Sequence, residues 1–161
     1  MIFGLSLRTF TYLHVYLSLI AIGAGFIVVY GMIAAKRLPL LTAVFLMMTA
    51  LTSLTGFLFP FKGITPGIVI GILSLIVLVV AVIARRRSAT SGVARGSYVI
   101  AAILALYFNF FILIVQSFQK LPSLHALAPT QSELPFKLAQ LATLVVFVVL
   151  TTMAFKRYRP A

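Results

Sequence analysis

Few side chains in this sequence can do chemistry, and the most reactive of them are His14, His125 and Glu133. The 161 residues include two histidines, one acidic residue and no cysteine. The lack of cysteine excludes disulfides, thiolate metal sites and cysteine nucleophiles. Two imidazoles and a carboxylate are ligand types for a metal ion, and two imidazoles can ligate haem. His14 and His125 are therefore the candidate metal ligands, although no His-x-x-His or His-x-x-x-His spacing supports a site.

Two amides, Asn109 and Gln116, are further candidates because each lies within a long apolar run. An unpaired amide in an apolar medium is costly, so such a residue needs a partner. Together with His14, His125 and Glu133, these are the side chains for which we predict ligand binding or proton handling. The sequence shows no nucleophile–base–acid set, no phosphate-binding glycine loop and no pair of intramembrane carboxylates. We therefore predict no catalytic residues and a protein that is not an enzyme.

The composition indicates the medium in which these residues work. Hydrophobic residues make up 63% of the chain and charged residues only 9%, and the mean hydropathy is +1.21. A soluble domain of this size has too much surface to hide that many apolar side chains from water. The sequence therefore predicts an integral membrane protein, with residues 1–161 forming one transmembrane domain and the lipid bilayer as its main partner.

Five apolar runs are long enough to cross a bilayer as helices, which takes about 20 residues each. Their length and the lack of period-two alternation exclude strands of a barrel. The predicted fold is an all-α bundle of about five transmembrane helices, and the predicted spans are 10–35, 38–61, 64–84, 98–118 and 136–155.

The segment between the fourth and fifth spans is unusual for a solvated connection. Leu121, Leu124 and Leu127 recur every three residues between prolines, which predicts a short helix lying at the membrane interface. Glu133 follows it, immediately before the fifth helix. There its carboxylate is expected to cap the helix N-terminus, or alternatively to pair with His125, His14 or a bound cation.

The basic residues that give the net charge of +12 lie between the apolar runs. Membrane topology and anionic lipid headgroups therefore explain them better than binding to nucleic acid does. With five spans, nine basic residues fall on one side and four on the other. The nine are Lys36, Arg37, Arg85, Arg86, Arg87, Arg95, Lys156, Arg157 and Arg159, and the four are Arg8, Lys62, Lys120 and Lys137. The excess predicts that the N-terminus is outside and the C-terminus is cytoplasmic.

Polar and small residues form stripes along the spans. The third span carries Gly67-x-x-x-Gly71, a spacing that lets two helix backbones approach closely, so both glycines are predicted to pack against another helix. The polar stripes have two explanations. They form hydrogen bonds between helices, or they line a cavity that leads down to Asn109.

Four stretches resemble a family of small multi-pass proteins of bacterial inner membranes that has no assigned activity. They are LHVYLSL at 13–19, TSLTGFLFPF at 52–61, ITP at 64–66 and ALAPTQSE at 126–133. The resemblance covers most of the chain, and it implies a location in the bacterial inner membrane and no particular chemistry.

Three functions remain open at this point. The first is a non-enzymatic homo-oligomer or accessory subunit of a larger membrane complex, which the Gly67/Gly71 face suggests. The second is a haem- or metal-binding redox protein that uses His14. The third is a transporter or channel for a small solute, with an outer cavity that reaches Asn109.

Overall fold

The structure, a computed structural model, describes residues 4–60, 63 and 65–159. All of the regular elements in this part of the chain are helices. They are α1 (Leu7–Ile33), α2 (Pro39–Gly56), α3 (Pro66–Arg87), α4 (Gly92–Lys120), α5 (Pro122–Leu127) and α6 (Leu134–Arg157).

Five of these helices are long and apolar enough to cross a membrane. The shortest, α2, has 18 residues and extends for about 27 Å, close to the thickness of a bilayer's hydrocarbon core. The sixth, α5, has six residues and lies in the connection between α4 and α6. The predicted all-α bundle with five spans and a short segment before the last span is therefore confirmed.

Local capping determines where α3 and α4 begin. The Thr65 hydroxyl accepts a hydrogen bond from the Ile68 N–H at 3.4 Å, and a proline follows Thr65, as the sequence predicts. The start of α4 differs from the prediction. The Ser/Gly-rich segment that was expected to be a loop as far as residue 97 forms the first turns of α4. The Ser91 hydroxyl caps them by accepting the Ala94 N–H at 3.3 Å.

The end of α2 also differs from its predicted boundary. The helix ends at Gly56 and residues 57–59 continue as a turn. Pro60 explains this early end, because proline disfavours helical backbone in the residue before it. The predicted last residue of this span, Phe61, lies outside the described residues.

The helices pack as two hairpins that face each other. Helix α1 packs along α2, and α3 packs along α4. Helix α2 also contacts α3, and α1 contacts α4, so the four helices form a closed ring. Helix α6 packs against α1 and α4 on the outside of this ring.

The packed core occupies the half of the bundle where α1 ends and α4 begins. Ala102, Ile103 and Leu106 of α4 are almost completely buried there against the second half of α1. Gly25 allows the closest contact, because a Cβ at this position would lie 2.6 Å from Leu106 Cδ1 and 2.9 Å from Phe45 Cε2.

An aromatic layer crosses the bundle at about the level of Gly25. The Phe26 ring lies 5.7 Å from the Phe110 ring and 5.9 Å from the Phe147 ring, and Phe110 and Phe147 are also 5.9 Å apart. Rings at these separations attract each other as well as burying apolar area. The three rings pack α6 against α1 and α4.

Candidate functional site

A cavity of about 580 Å³ lies among α1, α2, α3 and α4, at the end of the bundle where α1 and α3 begin. This volume is within the range of typical small-molecule sites, roughly 300–1,000 Å³. Aliphatic and aromatic side chains form much of its wall. The polar residues that line it are Thr11, His14, Ser18, Thr52, Ser53, Thr65, Ser74, Asn109, Gln116, Ser117 and Lys120.

The cavity has an exposed mouth and a buried floor. Leu7 and Lys120 at the mouth are exposed, whereas Thr52 and Ser74 at the floor are 8% and 2% exposed. Asn109 is half-buried and lies on α4 at the depth of the floor. From Lys120 to Asn109 the helix rises about 16 Å, which is about half the thickness of a hydrocarbon core.

Three of the five candidate residues from the sequence line this cavity: His14, Asn109 and Gln116. They come from helices that are distant in the sequence, and the polar stripes of α1 and α4 face each other across the space. The predicted polar stripes of these two helices therefore lie on a cavity wall. Some of their side chains also form hydrogen bonds between helices.

His14 is held in one orientation by α2. Its Nδ1 lies 2.8 Å from Thr55 Oγ1, and that hydroxyl lies 2.7 Å from the Leu51 carbonyl oxygen. A hydroxyl has one proton and the carbonyl can only accept, so the Thr55 proton is donated to the backbone and Nδ1–H donates to Thr55. The Phe59 ring packs edge-on against the imidazole at 5.2 Å. In the neutral ring Nε2 is then an acceptor, and it has no hydrogen-bond partner among the described residues.

The floor holds several polar groups that lack partners. The Asn109 amide donates from Nδ2 to Thr49 Oγ1 at 3.0 Å, and Thr49 is completely buried. The other end of the same amide has no partner in the described part of the chain. The hydroxyl oxygens of Thr52 and Ser74 are also buried without a hydrogen bond to any described residue. A buried polar group that is left unpaired costs about 1–3 kcal/mol. The Thr52 and Ser74 hydroxyl oxygens are enclosed by protein atoms, so the free end of the Asn109 amide is the unpaired group that faces the cavity.

The mouth of the cavity carries a positive charge. Lys120, the last residue of α4, is the single charged side chain among the described residues that line the cavity. Gln116 lies one turn deeper and is exposed. No carboxylate is found among the described lining residues.

His125 and Glu133, the other two candidates, do not line the cavity. His125 is exposed on α5. The residues that the structure describes contain no group of three or more His, Asp or Glu side chains that could hold a metal ion. His14 contributes an imidazole to the cavity wall, and the second candidate metal ligand, His125, does not line the cavity.

The Glu133 carboxylate stabilises a turn and does not cap α6 as expected. It accepts hydrogen bonds from the Thr130 N–H at 3.2 Å, the Thr130 hydroxyl at 2.9 Å and the Ser132 N–H at 3.1 Å. The side chain makes no hydrogen bond to the first turn of α6. Desolvation raises the pKa of this carboxyl, but the hydrogen bonds from Thr130 and Ser132 outweigh it and hold the pKa below its ordinary value.

Gly67 and Gly71 lie in the cavity wall and not at a close contact between helix backbones within the chain. A Cβ on Gly71 would meet the Phe57 ring at 3.0 Å, and one on Gly67 would meet only the Thr65 hydroxyl at 3.7 Å. Among the described glycines, the shortest distance from a Cβ position to another helix is at Gly25 of α1, 2.6 Å from Leu106 Cδ1 of α4. The packing of Gly67 and Gly71 against another helix stays a prediction.

Comparison of the chain with models of protein families, with curated proteins and with solved structures finds no match. The site is accordingly interpreted from its own geometry. The sequence predicted polar stripes along the spans, but Thr52 and Ser74 were not among the candidate site residues, and Lys120 was counted only for topology. No sequence signal marks these three, because their convergence depends on how the helices pack against one another.

Proposed function

We propose that this protein is a membrane-embedded binding protein whose cavity takes a small, mostly apolar molecule that also carries hydrogen-bonding groups. The observation that carries the proposal is the cavity of about 580 Å³ with a mostly apolar wall, in which Asn109 is hydrogen-bonded at only one end of its amide among the described residues. Lipid supplies no hydrogen bonds, so unpaired polar groups at this depth are stable only when water or a ligand meets them.

Binding fits the cavity better than catalysis or electron transfer. His14 is the only imidazole in the wall, and its Nδ1 is already used by Thr55. No acid lies beside it among the described lining residues. Of the three functions considered from the sequence, the solute-binding one with a cavity that reaches Asn109 has the most support. The homo-oligomer or accessory-subunit hypothesis remains a prediction, and crosslinking in native membranes would test it.

We also propose that the mouth of the cavity faces the outside of a bacterial inner membrane. The support is the charge asymmetry, with nine basic residues on the side opposite the mouth and four on the side of the mouth. The resemblance to small inner-membrane proteins of bacteria supports the choice of membrane.

The absence of cysteine allows a direct test with single introduced thiols. Ser18 is half-buried in the cavity wall, so Ser18→Cys would place a thiol in the cavity. An anionic, membrane-impermeant methanethiosulfonate added outside intact cells is expected to label it. Two control variants on the same helix are Ile20→Cys, which is 49% exposed on the outside of the bundle, and Ala21→Cys, which is completely buried.

We expect both control thiols to stay unlabelled, since lipid covers residue 20 and protein covers residue 21. Labelling of Ser18→Cys alone would show a water-accessible cavity that opens to the outside. If Ser18→Cys reacts only in inverted vesicles, the orientation is wrong. If it reacts in neither preparation, the cavity is closed and the binding function fails.

A further inference from the structure

The two ends of the cavity differ in chemistry, and the difference specifies a ligand more closely than the proposed function does. The mouth has a cation, Lys120, and the floor has the neutral amide of Asn109, whose oxygen has no hydrogen-bond partner among the described residues. Between them the wall is mainly apolar, with Ile112 and Leu113 of α4 as examples. The two polar regions lie about 16 Å apart along α4.

The charge of Lys120 has no partner of opposite sign in the protein. Glu133 is the only acidic residue of the chain, and its carboxylate is occupied by the hydrogen bonds from Thr130 and Ser132. A second cation at this end, Arg8, has its guanidinium over the Tyr12 ring at 5.7 Å, away from the cavity wall. Among the described residues that line the cavity, an anion bound at the mouth would therefore meet a single positive charge, that of Lys120.

We propose that the ligand is a single-chain amphiphile with an anionic group at one end and a hydroxyl or carbonyl group at the other. The anionic group binds Lys120, the apolar chain fills the middle of the cavity, and the distal polar group pairs with the floor. This inference rests on the proposed binding function. The volume of about 580 Å³ suits one chain and not a whole two-chain phospholipid.

Three probes of equal chain length separate these contributions. They are ω-hydroxydecanoate, which has both groups, decanoate, which lacks the distal hydroxyl, and decanol, which lacks the anion. Each is titrated against full-length Ser18→Cys protein in nanodiscs of zwitterionic lipid, and the measured quantity is the concentration that halves the rate of thiol labelling. Comparison between variants cancels the partitioning of each probe into the bilayer.

We expect ω-hydroxydecanoate to protect at the lowest concentration. Lys120→Gln is expected to raise the half-protection concentration of both acids roughly fivefold or more, with no change for decanol. Lys120→Arg should keep the half-protection concentration of both acids at its wild-type value. The matched control is Lys137→Gln, which removes a charge at the same end of the bundle outside the cavity wall, and it should have no effect. Asn109→Leu should abolish the advantage of ω-hydroxydecanoate over decanoate.

The outcomes separate the two proposals. Protection by decanol that equals protection by both acids, unchanged by Lys120→Gln, overturns the anionic ligand and leaves the binding function standing. Protection by none of the probes overturns both. Protection that appears only when phosphatidylglycerol is added to the nanodiscs, with no effect of the single-chain acids, overturns the single-chain ligand.

Discussion

Two threonines on one helix provide the sharpest test of the cavity floor, because the same substitution should have opposite effects on stability. Thr49 and Thr52 both lie on α2 and are at least nine-tenths buried. Thr49 accepts a hydrogen bond from Asn109 at 3.0 Å, whereas the Thr52 hydroxyl has no partner among the described residues. Replacement of either by valine keeps the volume and removes the hydroxyl.

Thr49→Val leaves the Asn109 amide without its partner inside the bundle. The expected loss in the free energy of unfolding is about 1–3 kcal/mol. Thr52→Val removes a buried hydroxyl that makes no hydrogen bond, so the ligand-free protein should gain about 1 kcal/mol. The two variants should therefore differ by about 2–4 kcal/mol although their chemistry is identical.

Titration with sodium dodecyl sulfate, followed by far-ultraviolet circular dichroism in mixed micelles, would measure both free energies of unfolding. The protein should first be delipidated, so that neither variant is measured with a bound ligand. Equal destabilisation by Thr49→Val and Thr52→Val would mean that the Thr52 hydroxyl is paired. That result would refute the opposite roles assigned to the two buried hydroxyls.

Three further predictions concern other contacts. Thr55→Val should remove the acceptor that fixes the His14 ring, so ¹⁵N spectra that show a protonated Nδ1 and a bare Nε2 in the wild type should show mixed tautomers in the variant. Gly25→Ala should lower the free energy of unfolding by about 1–3 kcal/mol through overpacking, whereas Gly23→Ala, with open space around its Cβ position, should be neutral or stabilising. The folded-state pKa of Glu133 is depressed, so its hydrogen bonds stabilise the turn above the ordinary carboxyl pKa and are lost as the pH falls through the lower folded value. The protection factors of amides in the turn, which correct for the slower intrinsic exchange in acid, should therefore fall in acid for the wild type and show no such transition in Glu133→Gln.

The membrane bundle could be predicted from the sequence because the physics that selects it acts on long stretches. A run of about 20 apolar residues has one stable arrangement in lipid, so the number of spans follows directly. Helix ends were less predictable, because they depend on single side chains such as the Ser91 cap and the Pro60 stop.

The site was predictable only in part. Period and spacing placed His14 and Asn109 on polar faces of their helices, and the structure brings both to one cavity. The period and spacing of polar residues do not show which helices are neighbours or how each helix is rotated. The convergence of Thr52 and Ser74 with Asn109 therefore had no sequence signature. Glu133 was expected to cap α6 because its position fits a cap. Its rotamer was decided instead by the turn that precedes it.

The packing at Gly25 lies beyond the floor of the cavity: a Cβ there would be 2.6 Å from Leu106 Cδ1 of α4 and 2.9 Å from Phe45 Cε2 of α2. A chamber that is open at one end and packed at the other gives ions no continuous aqueous path. Under the proposed function, the protein would therefore take its guest from one side without making the membrane leaky to protons. Passage of that guest to the other side would require α1 to separate from α2 and α4 at Gly25.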